Sequence, residues 1–136
     1  DLVVSAIVAV NAFGDIFDYH KGLQIAGPMK DGKMLKTMDF IDQILGSFAD
    51  IKPSNTTIGA VATNATFSKT ELTKIAGMAH DGFARSINPV HTLFDGDTIF
   101  SLATNKVKAN INLVGALAAE AMSMAIANAI YTSRED

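Results

Sequence analysis

Apolar positions fall into short uncharged runs along the chain, and these runs predict β-strands. Residues 2–10 are mostly β-branched or small and carry no charge, which predicts a strand covered on both faces. Two shorter runs within residues 15–27 lie on either side of Gly22, which predicts a β-hairpin. Residues 58–65 and 98–104 have the same apolar character, and each is predicted to form a further strand.

One segment after the hairpin has the spacing of an amphipathic helix. This helix is expected to be capped by Thr37 or Asp39, and residues 49–54 are expected to form an exposed linker after it. Its predicted apolar face consists of Met38, Ile41, Ile44, Leu45 and Phe48.

Two further helices are predicted in the second half of the chain. The first starts at Ser68, because its hydroxyl and Glu71 three residues later match a capping box, and it stops at Asn88-Pro89. The last spans residues 112–131 and is rich in alanine and glycine, so that another element can approach its backbone closely. The order strand, hairpin, helix, strand, helix, strand, helix predicts a mixed α/β fold.

Composition narrows the classes of protein that fit this pattern. The chain has 136 residues, 49% hydrophobic and 18% charged, so a single hydrophobic core is expected. A net charge of -3 provides no basic surface, and we expect neither nucleic acid nor a membrane as a partner. The absence of cysteine excludes disulfides, thiolate zinc sites and cysteine nucleophiles within this chain.

The apolar run at residues 109–133 is interpreted as a buried helix rather than a membrane span, because Glu120 lies in its middle. We expect this carboxylate to be hydrogen-bonded at a helix contact, since a buried charge without a partner is costly. The chain begins with Asp1 directly before the first strand, without an initiator methionine or a basic leader. We therefore expect the sequence to begin partway along a longer protein, and we expect a cytoplasmic location.

The motifs that carry a known chemistry are missing. The chain has no Walker A loop, GxGxxG, HExxH, GxSxG or complete EF-hand loop. Polar residues nevertheless cluster where strands end or begin, at Asn11, at residues 55–57 and at residues 95–97, and such positions often carry function. Taken singly, each cluster is explained equally well as a turn, and Asp95 and Asp97 beside His91 are also compatible with a hard cation.

Taken together, three motifs resemble a known family. Residues 55–65 (Asn-Thr-Thr-Ile-Gly-Ala-Val-Ala-Thr-Asn-Ala) are followed by the capped helix and then by residues 89–100 (Pro-Val-His-Thr-Leu-Phe-Asp-Gly-Asp-Thr-Ile-Phe). Residues 10–15 (Val-Asn-Ala-Phe-Gly-Asp) precede both. In this order they resemble the DmpA family of self-processing N-terminal-nucleophile hydrolases, and within it the nylon-oligomer hydrolase branch, the 6-aminohexanoate-oligomer endohydrolases.

The resemblance implies that the precursor cuts itself between Asn55 and Thr56. Thr56 Oγ would attack the Asn55 carbonyl, and water would then release the Asn55 carboxylate from the resulting ester. The freed α-amine of Thr56, with a reference pKa of about 7.7 to 8.0, would serve as a general base. Residues 1–55 would then be the end of the α subunit, and residues 56–136 the β subunit that begins with the nucleophile.

The resemblance also assigns roles to four other residues. Asp95 and Asp97 match the acids that hold and polarise the nucleophilic threonine, and Asn11 matches the residue that helps to form the oxyanion hole. Gly14 is expected to shape the loop beside Asn11. The aminopeptidase branch of the family has a serine and a glutamate at the positions of Asp95 and Asp97, so Asp-Gly-Asp favours the nylon-oligomer hydrolase branch. Neither a metal nor an organic cofactor is implied.

Finally, the resemblance implies an architecture and a substrate class. We expect a four-layer αββα sandwich, of which this chain is the C-terminal part, completed by an N-terminal half of the same precursor and assembled as a homo-oligomer, often a tetramer. The substrate would be a small amide or peptide, and the natural one is not indicated. Three alternatives remain: an acyltransferase like ornithine acetyltransferase, an aminopeptidase of the same family, and a non-catalytic assembly subunit.

Overall fold

The computed structural model describes residues 1–47 and 54–135, and it has the mixed α/β organisation that the sequence predicts. The strands are β1 (Val4–Ala9), β2 (Asp15–Asp18), β3 (Leu23–Ala26), β4 (Met29–Lys30), β5 (Lys33–Met34), β6 (Ile58–Ala65), β7 (Ile87–Asn88) and β8 (Thr98–Val107). The helices are α1 (Ile41–Ser47), α2 (Lys69–Ser86) and α3 (Ile111–Ser133), and a short 3-10 helix spans Thr37–Asp39.

The main sheet has the strand order β1-β6-β8. Strand β1 runs antiparallel to β6, whereas β6 and β8 are parallel and are joined through α2. A second sheet, β3-β2-β7, contains the predicted hairpin, in which Gly22 adopts a positive φ of 63°. Strands β4 and β5 form a separate two-residue pair.

The core lies between the main sheet and helices α2 and α3. Val61 on β6, Phe83 on α2 and Met122 on α3 are fully buried there. Small residues bring the two helices together, because a Cβ at Gly82 would lie 2.5 Å from the Ala119 carbonyl oxygen, and one at Gly115 would lie 2.2 Å from Met78 Sδ. The expectation that the last helix allows close approach is therefore confirmed.

The described residues cover the first strand on one face only, and not on both faces as predicted. Exposure alternates along β1, and Ile7 is 74% exposed. Helix α3 covers the other face of β1, and among the described residues nothing covers the face that contains Ile7. In the register of the sheet, Ile7 is aligned with Ala60 and Phe100, which places an apolar row across this open face.

The first predicted helix is not continuous over the described residues. It is divided into the 3-10 helix and α1, and Leu45 is 42% exposed. Thr37 does not cap it, because the Thr37 hydroxyl donates to Asp15 Oδ1 at 2.6 Å and the side chain is thereby tied to β2. Phe48 and residues 49–53 of the predicted linker lie outside the described residues.

The other two helices follow their predictions closely. Ser68 and Glu71 form the expected capping box at the start of α2. Helix α3 meets the length and apolarity of a membrane-crossing helix, but core helices also meet these criteria, and its buried side chains pack against α2 and β1. Glu120 is paired as expected, with His20 Nε2 at 2.6 Å and an Arg85 guanidinium nitrogen at 3.7 Å.

Candidate active site

The three polar clusters predicted from the sequence meet where the strands of the main sheet end or begin, on the same side of the sheet. The register aligns Ala9, Ile58 and Thr98, which are the last residue of β1 and the first residues of β6 and β8. Asn11 follows this row, and residues 55–57 and 95–97 lead into it. The sheet thus brings together segments that are about 40 residues apart along the chain, and a bridge joins Asn55 to Asp95.

The peptide bond between Asn55 and Thr56 is held at both of its polar groups. The Thr56 N–H donates to the Asn11 carbonyl oxygen at 2.8 Å. The Asn55 carbonyl oxygen accepts a hydrogen bond from the Gly96 N–H, also at 2.8 Å. A donor at this distance polarises the carbonyl, and it lies where negative charge develops when a nucleophile attacks the carbonyl carbon.

Gly96 also lies against the Thr56 side chain. A Cβ at this position would be 3.0 Å from Thr56 Oγ1, which is tighter than ordinary contact. The absence of a side chain at Gly96 therefore provides the space that the Thr56 hydroxyl occupies, and the loop at residues 95–97 packs against that hydroxyl.

Asp95 ties this loop to the segment after β1. One carboxylate oxygen accepts from the Phe13 N–H at 3.1 Å, and the other accepts from the Thr92 hydroxyl at 2.6 Å and the Thr92 N–H at 3.3 Å. The carboxylate thus fixes two backbone segments relative to each other. Its bonds to main-chain N–H groups are charge-assisted and geometrically specific.

Asp97 is bonded to the residue after Thr56. Its Oδ1 accepts from the Thr57 N–H at 3.2 Å, and its Oδ2 lies 2.8 Å from His91 Nδ1. Within the described parts of the chain, no hydrogen bond joins either aspartate to the Thr56 hydroxyl. The role of these acids in holding and polarising Thr56 stays a prediction. The contacts seen are from Asp97 to the Thr57 N–H and from Asp95 to Phe13 and Thr92.

Asn11 and Gly14 both belong to the segment that follows β1. The side-chain amide of Asn11 donates to the Ser54 carbonyl oxygen at 3.4 Å, next to the Asn55-Thr56 peptide, and its oxyanion role stays a prediction. A Cβ at Gly14 would lie 2.1 Å from the Pro89 carbonyl oxygen, so this segment can pack against residues 88–89 only with glycine there.

Two contributors to the site, Thr92 and Phe13, were missed in the sequence, and His91 was considered only as part of a cation site. Thr92 clamps Asp95, His91 contacts Asp97, and Phe13 contributes only its main-chain N–H. The Thr92 contact spans three residues and matches an ordinary side-chain turn, so it had a local signal. The Phe13 N–H lies 82 residues before Asp95 in the chain, and a single sequence gives no signal for such a backbone contact.

A metal site is not formed by the described residues. No group of three or more histidine, aspartate or glutamate side chains converges among them in a way that fits a metal ion. The hard-cation alternative for Asp95 and Asp97 thus gains no support, because their oxygens are directed at protein N–H and O–H groups.

Comparison with known proteins gives consistent matches along the chain. Residues 1–135 match Peptidase family S58. An uncharacterized aminopeptidase of Mycobacterium leprae is 44% identical over 110 residues, covering 78% of this chain and 30% of the relative. A corresponding aminopeptidase of Mycobacterium tuberculosis is 37% identical over 114 residues, covering 78% of this chain and 33% of the relative.

A 6-aminohexanoate-oligomer endohydrolase of Kocuria is 30% identical over 147 residues, covering 95% of this chain and 41% of the relative. The chain therefore spans between about a third and two fifths of the length of these relatives.

Proposed function

The chain belongs to peptidase family S58, the DmpA family, and on that premise we propose that it carries the nucleophile of a self-processing amide hydrolase. In this proposal the protein cuts itself between Asn55 and Thr56 and then uses Thr56 on substrates. The observation that carries the proposal is the fixed Asn55-Thr56 peptide, whose carbonyl is bonded to the Gly96 N–H beside the Thr56 hydroxyl.

Self-cleavage would proceed through an ester. Thr56 Oγ forms a bond to the Asn55 carbonyl carbon, the C–N bond breaks, and the hydroxyl proton passes to the departing nitrogen. Water then adds to the ester and releases the Asn55 carboxylate and the Thr56 hydroxyl. The Gly96 N–H supports this sequence because it already donates to the oxygen that becomes the oxyanion.

Turnover would repeat the same chemistry on an external amide. The free α-amine of Thr56 takes the hydroxyl proton, Thr56 Oγ bonds to the substrate carbonyl carbon, the amide C–N bond breaks, and the amine product leaves with that proton. Water then hydrolyses the acyl-enzyme ester and releases the carboxylic acid and the Thr56 hydroxyl. Asp97 supports this role, because its bond to the Thr57 N–H is retained when the preceding peptide is cut and keeps the new chain end at the site.

The open face of the main sheet supports the four-layer arrangement. Ile7, Ile58, Phe100 and Leu102 on this face are 48–74% exposed although all are large and apolar. A second sheet from the remainder of the precursor would cover them, as helices α2 and α3 cover the opposite face. Assembly as a homo-oligomer is part of the same proposal. The described residues include neither the covering sheet nor a second copy of the chain.

Two subclasses of substrate follow from the relatives. The higher identity to the mycobacterial proteins, which are named aminopeptidases, favours removal of an N-terminal residue from a peptide. The Asp-Gly-Asp motif favours internal amide bonds, as in the 6-aminohexanoate-oligomer endohydrolase, whose similarity extends over 95% of the chain. An acyltransferase would be distinguished from both by requiring an amine acceptor.

The proposal is tested on the full-length protein with a panel of aminoacyl anilides, short peptides and 6-aminohexanoate oligomers, each with and without an added amine acceptor. We expect hydrolysis of at least one amide without acceptor, and none by Thr56→Ala. Thr73→Ala, a matched change at an exposed threonine of α2, is expected to hydrolyse like the unmodified protein. Hydrolysis by Thr56→Ala at the rate of the control would contradict the proposal.

A further inference from the structure

We propose that His91 is a positioning residue for the nucleophile: it holds Asp97 in the orientation in which that carboxylate binds the Thr57 N–H. This inference rests on the proposed function, because it concerns how Thr56 is placed. It adds a residue that the family resemblance did not assign.

The geometry places His91 directly behind Asp97. His91 Nδ1 lies 2.8 Å from Asp97 Oδ2, while Asp97 Oδ1 accepts from the Thr57 N–H at 3.2 Å. The Asp97 side chain is only 4% exposed, whereas that of His91 is 40% exposed, so the imidazole lies between the carboxylate and solvent. A carboxylate in that position needs a donor at each oxygen, and His91 supplies one of the two.

The His91 ring is itself held by α2. Its centroid lies 4.8 Å from that of His80 and 6.1 Å from that of Phe83, which is fully buried. Its backbone has a positive φ of 55°, which is uncommon for residues other than glycine. The ring thus packs against the helix and directs Nδ1 at Asp97, and a fixed side chain can orient the carboxylate as a mobile one cannot.

The charges around the ring favour this contact. Burial lowers the pKa of the His80 imidazole, and nearby His91 lowers it further, while Asp97 and Asp81 act in the opposite direction. The lowered pKa reduces the positive charge that His80 places against His91. His91 donates from Nδ1 to Asp97 in its cationic form and in its Nδ1–H neutral tautomer, so the contact does not require one charge state.

The contact gains importance once the peptide is cut. Thr56 is then a chain end, and the nearest anchors on its C-terminal side are two hydrogen bonds of Thr57. The Thr57 N–H donates to Asp97, and the Thr57 carbonyl oxygen accepts from the Thr98 N–H at 3.0 Å. Loss of His91 would leave Asp97 free to rotate away from the Thr57 N–H. We therefore expect the effect mainly on kcat, since placement of the nucleophile changes the reaction step more than substrate binding.

The test compares His91→Asn with His91→Asp in the full-length protein. The two side chains have the same shape and both tolerate a positive φ, but only asparagine offers a donor to Asp97. We expect His91→Asp to slow self-cleavage and to lower kcat by about tenfold or more, with KM changing by less than about threefold. His91→Asn is expected to recover most of both rates.

Two controls separate the possible outcomes. His91→Gly accepts the same φ without any donor and is expected to behave like His91→Asp, which keeps the test valid if the added carboxylate impairs folding. Equal rates in His91→Asn and His91→Gly, or unchanged rates in His91→Asp, would overturn the inference while leaving the proposed function intact. An unmodified protein that neither cuts itself nor hydrolyses amides would overturn the proposed function and this inference with it.

Discussion

Two pairs of aspartates in this chain look alike in the sequence and act differently in the structure. Asp15 and Asp18 lie in β2, where their relative exposures are 2% and 6%. Asp15 binds the Thr37 hydroxyl and N–H, and Asp18 accepts from the Tyr131 hydroxyl at 2.6 Å, so this pair joins the hairpin to the 3-10 helix and α3.

The pair at residues 95–97 bonds to loop groups instead. Asp95 accepts from the Phe13 N–H in the segment after β1, and Asp97 accepts from the Thr57 N–H directly after the Asn55-Thr56 peptide. The first pair thus stabilises packing between elements, whereas the second fixes the backbone around a candidate nucleophile. The comparison shows that partners, rather than burial or residue type, distinguish a structural carboxylate from a site carboxylate. It predicts that changes to the two pairs will separate stability from activity.

The largest effect on activity is expected at Thr56, which lies beside the second pair of aspartates. Thr56→Ala removes the hydroxyl and should abolish self-cleavage and amide hydrolysis, with the thermal midpoint within a few degrees of the original. Gel analysis, an amide hydrolysis assay and thermal unfolding measure the three quantities. Residual cleavage between residues 55 and 56 in this variant would show that another group performs the attack.

Replacing one aspartate from each pair tests directly whether the first pair affects stability and the second affects activity. Asp97→Asn retains the size of the side chain but weakens the charged contacts to Thr57 and His91, and should lower the self-cleavage rate and kcat by about tenfold to a hundredfold. Asp15→Asn should instead lower the free energy of unfolding by about 1–3 kcal/mol, since the buried contacts to Thr37 are weakened, and leave kcat of the folded protein unchanged.

Chemical denaturation and steady-state kinetics on both variants provide the measurements. The reverse result, with Asp15→Asn lowering kcat and Asp97→Asn lowering only stability, would show that the two pairs have been assigned the wrong way round.

A smaller effect is expected from crowding the Thr56 hydroxyl. Gly96→Ala would bring a methyl group to 3.0 Å from Thr56 Oγ1 and should slow self-cleavage by about tenfold, because the hydroxyl must shift to relieve the contact. Gly77→Ala is the matched control, since a Cβ there meets nothing within 4 Å in the middle of α2. The control should be more stable by about 0.5–1 kcal/mol and cut itself at the original rate. Equal cleavage rates in the two variants would argue against close packing at Thr56.

The smallest effect is expected on thermal stability, when the hydrogen bond between Tyr131 and Asp18 of the first pair is removed, and this effect depends on pH. The hydrogen bond from Tyr131 lowers the pKa of the Asp18 carboxyl, and Asp18 in turn raises the pKa of Tyr131. A lowered folded-state pKa adds stability above the unfolded value of about 3.9, and this stability is lost as the pH falls through the folded value.

Tyr131→Phe should therefore lower the thermal midpoint by a few degrees at pH 7, and the difference should shrink as the pH falls below about 4. Activity at pH 7 should be unchanged. Thermal unfolding of both proteins between pH 3 and 7 tests this, and a difference that grows towards acid pH would be the wrong sign.

The features predicted from the sequence are those set by neighbouring residues. Strand β6, the Gly22 turn and the capping box of Ser68 all depend on local patterns, and the structure contains each of them. The convergence of Asn11, Asn55 and Asp95 came from the family resemblance, since a single sequence does not show which strand ends adjoin.

Long-range contacts account for what was not predicted. Thr37 was expected to cap a helix and instead bonds to Asp15, which lies 22 residues earlier. The open face of β1 could not be distinguished from a covered one, because Ile7 has the same apolar character that a buried strand would have. The positive φ of His91 likewise has no signal in its own side chain.

The central claim is that the Asn55-Thr56 peptide is the self-cleavage site and that Thr56 is the nucleophile. Intact mass measurement with N-terminal sequencing of the purified full-length protein tests it most directly. The account predicts two polypeptides, one ending at Asn55 and one beginning at Thr56, and a single uncut chain for Thr56→Ala. A wild-type chain that hydrolyses amides while residues 55 and 56 remain joined would contradict it.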